Sequence, residues 1–243
     1  MSAGVKKRNI SIAEPVTELK RVKIVDNGDP LVDYLDLCPK LVKAKPVFNY
    51  RYETVVRETV ARMLCAASEA LAPGYRLGVL EGWRPHHIQR RMYLRSWNRF
   101  KKMHPEWSDA QLRRTTNRYT APMNDKVPPP HSTGAAVDLF LLDENLNELD
   151  LRAPYEFMDP KAFLFDAKGL TVESKERRRI LADALLAGGM TNYPSEYWHW
   201  SFGDQGWAYR TGAPNAIYGV IEPQDYAPHP PDVTDDPVEW IER

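Results

Sequence analysis

His131-Ser132-Thr133-Gly134-Ala135-Ala136-Val137-Asp138 places an imidazole just before a glycine-containing turn and a carboxylate on the apolar run that follows. From Ala135 to Leu142 every side chain except that of Asp138 is apolar, as expected of a buried strand. A loop histidine and a strand aspartate of this kind converge on one point. Further along, Glu196-Tyr197-Trp198-His199 supplies a second imidazole three residues after another carboxylate. Two imidazoles and one carboxylate, from His131, Asp138 and His199, make three ligands for one zinc ion whose fourth position stays open. Zinc with an open position is typically catalytic, because structural zinc is closed by four protein ligands. Glu196 is then the general base for whatever fills the open position. The pattern reads as a metallohydrolase.

Outward from that stretch, the chain alternates helical and extended segments. Apolar residues at helical spacing from Tyr52 to about Leu71 predict a helix, stopped by Ala72-Pro73-Gly74. Tyr75 to Leu80 reads as a buried strand running into Glu81-Gly82-Trp83-Arg84-Pro85, a turn that opens an Arg-rich helix from about His86 to Lys102. Ser108 is an N-cap for a short helix to Arg118. The prolines Pro128, Pro129 and Pro130 stiffen the approach to His131. A helix from about Glu173 to Ala187 is closed by Gly188-Gly189, and Tyr197 to Phe202 suggests a further strand. Val22 to Val25 alternates like a short strand. The expectation is one α+β domain, a small and mostly antiparallel sheet flanked by helices, over residues 21–222. A flexible lead over residues 1–20 and an irregular, Pro- and Asp-rich tail over residues 223–243 complete the chain.

Lys and Arg balance Asp and Glu at 33 each. A nucleic-acid binder shows a basic excess or stripe, so that partner class is disfavoured. No run of about 18 apolar residues occurs to span a membrane, and no signal-like segment follows the basic start. The expectation is a cytoplasmic protein acting on a small molecule. Cys38 and Cys65 sit in no paired metal or redox spacing, which leaves core packing to carry stability.

Taken singly, these residues have plain structural explanations: a turn-forming aspartate, a hydrogen-bonded histidine, a surface arginine in a basic helix. His86, His87, His104 and His229 are read that way. Together, two separated elements that supply three ligands and a base favour chemistry. Arg84 lies at a strand-to-helix turn, where a guanidinium can project over a cleft and hold an oxyanion.

These motifs resemble the zinc D,D-peptidases, in particular the D-alanyl-D-alanine dipeptidase branch. That family's S-x-H-x-x-G-x-A-x-D, E-x-W-H and D-G-Y-R-P patterns correspond in order to residues 129–138, 196–199 and 81–85. The resemblance implies that His131, Asp138 and His199 hold zinc, that Glu196 is the base and that Arg84 stabilises the tetrahedral intermediate. It implies a substrate-binding carboxylate at Glu156, from Leu149-Asp150-Leu151-Arg152-Ala153-Pro154-Tyr155-Glu156, that receives the dipeptide's ammonium. Three positions depart from the pattern: Pro129 replaces a serine, Glu81 an aspartate and Glu156 an aspartate. The implied activity is hydrolysis of D-Ala-D-Ala or a similar small dipeptide. The alternatives are a D,D-carboxypeptidase or endopeptidase on peptidoglycan stem peptides, or a non-catalytic zinc module like the related hedgehog signalling domain.

Overall fold

The apolar run after Gly134 is the central strand of a five-stranded sheet. The computed structural model describes residues 14–122, 124, 126–157 and 159–241. In chain order its elements are α1 (Val16–Leu19), β1 (Leu31–Asp33), α2 (Tyr34–Leu37), β2 (Val42–Lys43), β3 (Val55–Arg57), α3 (Glu58–Ala70) and β4 (Tyr75–Glu81). There follow α4 (His86–Met103), α5 (Asp109–Tyr119), β5 (Ala136–Asp143), α6 (Val172–Ala187), β6 (Thr191–Asn192), β7 (His199–Ser201) and α7 (Gln205–Thr211). The main sheet has the order β2-β4-β5-β7-β6; β2 pairs parallel to β4 and the other pairs are antiparallel. β1 and β3 form a separate antiparallel pair. The expected α+β domain with a mostly antiparallel sheet is what forms.

Alternation along β5 divides the molecule. Val137, Leu139 and Leu141 point into the main core, where they meet Val60, Ala61, Leu64 and Ala67 of α3 and Leu181 and Leu185 of α6. The α3 residues fall on one helical face, and burial of each large side chain contributes roughly 1.5–3 kcal/mol. Asp138, Phe140 and Leu142 face the other way, and that face carries the site.

Local signals hold at the helix ends. Ser108 caps α5 in a reciprocal capping box with Gln111. Thr171 caps α6, and Gly189, at φ +93°, lies in the turn after it.

Other expectations give way to tertiary pairing. The helix expected from Tyr52 starts at Glu58, because Val55–Arg57 pair with Leu31–Asp33. Val22 to Val25 makes only an isolated bridge, between Ile24 and Ala216. Of the lead, residues 1–13 lie outside the described residues; beyond them Val16–Leu19 form a helical turn against α7, and Glu14 is ion-paired to Arg210. The tail carries a 3-10 turn at Pro230–Asp232, buries Val238 and binds Asp232 to Arg91.

The cysteines need a plain correction. Cys38, at the end of α2, and Cys65, on α3, are joined by a disulfide with Cα atoms 5.6 Å apart, the ordinary spacing for a bridge. Their sequence separation hid a contact that the packing of α2 on α3 creates. Such bonds persist in oxidising surroundings and are rare in a reducing cytosol.

Candidate active site

Strand register assembles the site. Glu81 on β4 lies opposite Asp138 on β5, and Asp138 lies opposite His199 on β7. Directly opposed residues have Cβ atoms about 4.5–5.5 Å apart, so three chemistry-bearing side chains sit side by side on one sheet face. A register shift between Val79 and Glu81 leaves Leu80 as an extra residue, a bulge that re-aims the end of β4.

His131 arrives from the 3-10 turn Pro130–Thr133. The turn closes on Gly134 at φ +69°, where a Cβ would also come within 2.6 Å of Leu31 Cδ2, so both conformation and space call for glycine. His131 Nδ1 donates to the Gly82 carbonyl at 2.8 Å. A carbonyl only accepts, so the proton is on Nδ1 and the Nε2 lone pair faces the centre. Gly82 is itself confined, since a Cβ there would lie 2.5 Å from Val56 Cγ1.

The three candidate ligands fit a metal. His131 Nε2 lies 3.2 Å from His199 Nδ1 and 3.3 Å from Asp138 Oδ1, and the last two atoms are 3.0 Å apart. Three tetrahedral ligands at about 2.0–2.1 Å from zinc are spaced roughly 3.3 Å from one another. All three residues are buried, and among the described residues they form a cluster able to hold a metal ion. Burial alone would raise the Asp138 carboxyl, but the imidazoles of His131 and His199 set against it hold it well below the usual carboxylate range.

Glu196 is carried by the turn that leads into β7. The His199 amide donates to the Glu196 carbonyl at 3.1 Å, which brings the two side chains into one cavity. Asn192 stitches this turn by donating through Nδ2 to the carbonyls of Glu196 and His199, each at 3.0 Å. Burial pushes the Glu196 carboxyl up to about 7; the charges of His199 and Arg84 oppose that, and Asp138 adds to it.

Arg84 is clamped. Its guanidinium makes a two-pronged pair with Glu81, one contact being Nε to Oε1 at 2.9 Å, and donates to Gln89 Oε1 at 2.8 Å. Tyr50 donates its hydroxyl to Glu81 at 2.6 Å, and Gln89 Nε2 is anchored on the Ala121 carbonyl. The remaining reach of the guanidinium is toward Asp138, at 3.9 Å from Oδ2. Burial would lower the Arg84 pKa, but the Glu81 carboxylate keeps it well raised and the group fully charged. The glutamate at position 81 is therefore a clamp for the arginine beside it. Tyr50, Gln89 and Asn192 escape sequence reasoning, as does the clamping role of Glu81, because these contacts are made across the fold or inside a turn.

A cavity of about 350 Å³ is lined by Arg84, His131, Asp138, Glu196 and His199 together, and Pro129 also borders it. Glu156 is exposed and does not line the cavity; from the same loop Phe157 and Asp159 do.

A family model described as peptidase M15, D-ala-D-ala dipeptidase, matches residues 44–217. A Synechocystis protein named D-alanyl-D-alanine dipeptidase is 28% identical over 250 residues, covering 88% of this chain and 100% of its own length. An Enterococcus faecalis protein of the same name is 30% identical over 171 residues, covering 66% of this chain and 80% of its own.

Proposed function

Because this chain belongs to the D-Ala-D-Ala dipeptidase family of the M15 peptidases, we propose that it is a zinc dipeptidase cleaving D-Ala-D-Ala or a closely related small dipeptide. The observation that carries this reading is the meeting of a three-ligand cluster, a proton-accepting carboxylate and a charged guanidinium in one cavity.

Zinc held by His131 Nε2, His199 Nδ1 and Asp138 Oδ1 would supply a Lewis acid for the scissile carbonyl and acidify water. With its pKa near 7, Glu196 is balanced to take a proton from the attacking water and return it to the leaving amine. One water is consumed and two free amino acids leave. Arg84 faces the oxyanion of the tetrahedral intermediate, in a geometry fixed beforehand by Glu81 and Gln89. The ammonium of the substrate is received by a carboxylate beyond β5, Glu156 or Asp159. Glu156 is the residue the family pattern assigns there, while Asp159 lines the cavity, and Glu156→Gln and Asp159→Asn would tell them apart by KM.

Among the described residues no helix is long and apolar enough to cross a membrane. A cytoplasmic place of action requires the Cys38–Cys65 bond to be dispensable, which reduction of the protein decides.

The test is purified protein, loaded with zinc, given D-Ala-D-Ala, L-Ala-L-Ala and a pentapeptide ending in D-Ala-D-Ala. Turnover of the D,D-dipeptide alone is expected. Alanine released only from the pentapeptide would establish a carboxypeptidase instead, and no turnover with zinc bound would favour a binding module. Glu196→Ala should lower turnover about 10²–10⁴-fold while the metal stays bound. Loss of the metal in that variant would show that Glu196 is a ligand.

A further inference from the structure

We infer that the tail residue Trp240, with Phe48, Leu80 and Phe140, forms a side-chain subsite for a bulky apolar residue on the carboxyl side of the scissile bond. This chain would then prefer such dipeptides to D-Ala-D-Ala. The inference rests on the dipeptidase reading and specifies its substrate.

Trp240 lies outside the stretch matched by the family model, yet it borders the same cavity as the metal cluster. The tail is held in place by backbone pairing: the Asn49 amide donates to the Glu239 carbonyl and the Ile241 amide to the Val47 carbonyl, each at 3.0 Å. This seats the Trp240 ring on Phe48, with centroids 4.3 Å apart. Both rings pack against a cluster that contains Phe140. Phe140 is two positions beyond Asp138 on the same face of β5, which at about 3.3 Å per residue is roughly 7 Å from the metal ligand. That is the reach of one amino-acid side chain from a carbonyl at the metal. The bulged Leu80 supplies the remaining apolar surface.

Charge assigns the end of the substrate. The cavity residues contributed by α4 and α5 include Arg95, Arg99 and Arg118 and no carboxylate; the lining carboxylates, such as Asp159 and Glu196, come from other elements. Arg95 lies 4.6 Å over the Trp240 ring, and Phe157, edge-on to Trp240 at 5.9 Å, carries Arg152 4.9 Å over its own ring, so guanidinium groups flank the aromatic subsite and a terminal carboxylate is favoured there. The cavity, about 350 Å³, is within the range of roughly 300–1,000 Å³ that holds drug-sized ligands and exceeds what two alanines fill.

The experiment measures kcat/KM for D-Ala-D-Phe and D-Ala-D-Ala with the full chain and with Trp240→Ala and Trp240→Phe. The full chain should favour D-Ala-D-Phe by roughly tenfold or more, Trp240→Ala should collapse that ratio toward one, and Trp240→Phe should keep most of it. The ratio is the readout, because a general loss of folded enzyme lowers both rates and leaves it unchanged. Hydrolysis of D-Ala-D-Ala with no preference for D-Ala-D-Phe, or a preference untouched by Trp240→Ala, overturns this inference alone. Hydrolysis of neither dipeptide overturns the dipeptidase reading and this inference with it.

Discussion

Arg84 and Arg178 are both almost wholly buried, at 7% and 2% exposure, but they are satisfied in opposite ways. Arg178, on α6, spends its guanidinium on backbone: it donates to the carbonyls of Leu151, Ala162, Leu164 and Phe165 at 2.6–2.9 Å. It also lies 3.9 Å over the Tyr197 ring. Arg84 spends its own on side chains, Glu81 and Gln89, and is left facing Asp138, one of the three candidate metal ligands. Carbonyls fix a fold and do not titrate, whereas a carboxylate clamp keeps a cation charged and aimed. The first arginine holds the wall of the cavity, since the loop it gathers carries Arg152, Phe157 and Asp159; the second acts inside it.

Replacing the scaffold arginine should have the largest effect, and on stability. Arg178→Met leaves two buried and two partly buried carbonyls without a donor, a buried one costing about 1–3 kcal/mol. Relaxation and water recover part of that, so a loss on the order of 4 kcal/mol is expected, or roughly 10 °C in Tm. Thermal unfolding measures it. If kcat per folded molecule collapsed while Tm held, the assignment of Arg178 to the scaffold would fail.

Arg84→Lys should do the reverse. A lysine keeps the charge beside Glu81 but loses the planar fork that reaches Glu81, Gln89 and the oxyanion together. Steady-state kinetics should show kcat lower by about 10²–10³, or roughly 2.7–4 kcal/mol of transition-state stabilisation, with a smaller change in Tm. A kcat within threefold of the parent (about 0.7 kcal/mol) would mean that Arg84 is another scaffold arginine.

The disulfide belongs with Arg178. Cys38→Ala with Cys65→Ala opens a cross-link across a sequence separation of 27, and loop-closure entropy puts the cost at about 3.5 kcal/mol. Denaturant unfolding should register it, with kcat unchanged at 25 °C.

The same contrast explains what the sequence made legible. That His131, Asp138, Glu196 and His199 meet in one cavity was readable because each sits in a short motif whose spacing reflects its local element: a turn, a strand or a strand entry. Arg84 was readable as a residue projecting from a turn, but its clamp was not. Tyr50 is brought to Glu81 from 31 residues away by sheet packing, and no local pattern announces that. Arg178 was invisible for the same reason, lying in a helix whose other arginines, Arg177 and Arg179, make exposed ion pairs. The central strand and most helices followed from periodicity, while β1, β3 and the docked tail depend on partners far along the chain. Glu156 shows the opposite case, a motif position that matches in sequence and lies outside the cavity.

The smallest effect is the most discriminating. As a general base Glu196 must be ionised, so kcat/KM should fall as pH drops through its pKa, about tenfold per unit below it. Burial raises that pKa to about 7, and a bound divalent cation favours the carboxylate, so the acid limb lies at 7 or below. The Arg84 charge is one of the influences pulling it down. Arg84→Gln removes that charge and should move the limb upward by up to roughly one unit. Arg178 is not among the charges acting on Glu196, so Arg178→Met should leave the limb where it was. A pH profile of kcat/KM for the parent and both variants checks this. Equal shifts in the two variants would mean that the limb reports general loosening of the fold, and the separation of a charge-bearing arginine from a wall-bearing one would not stand.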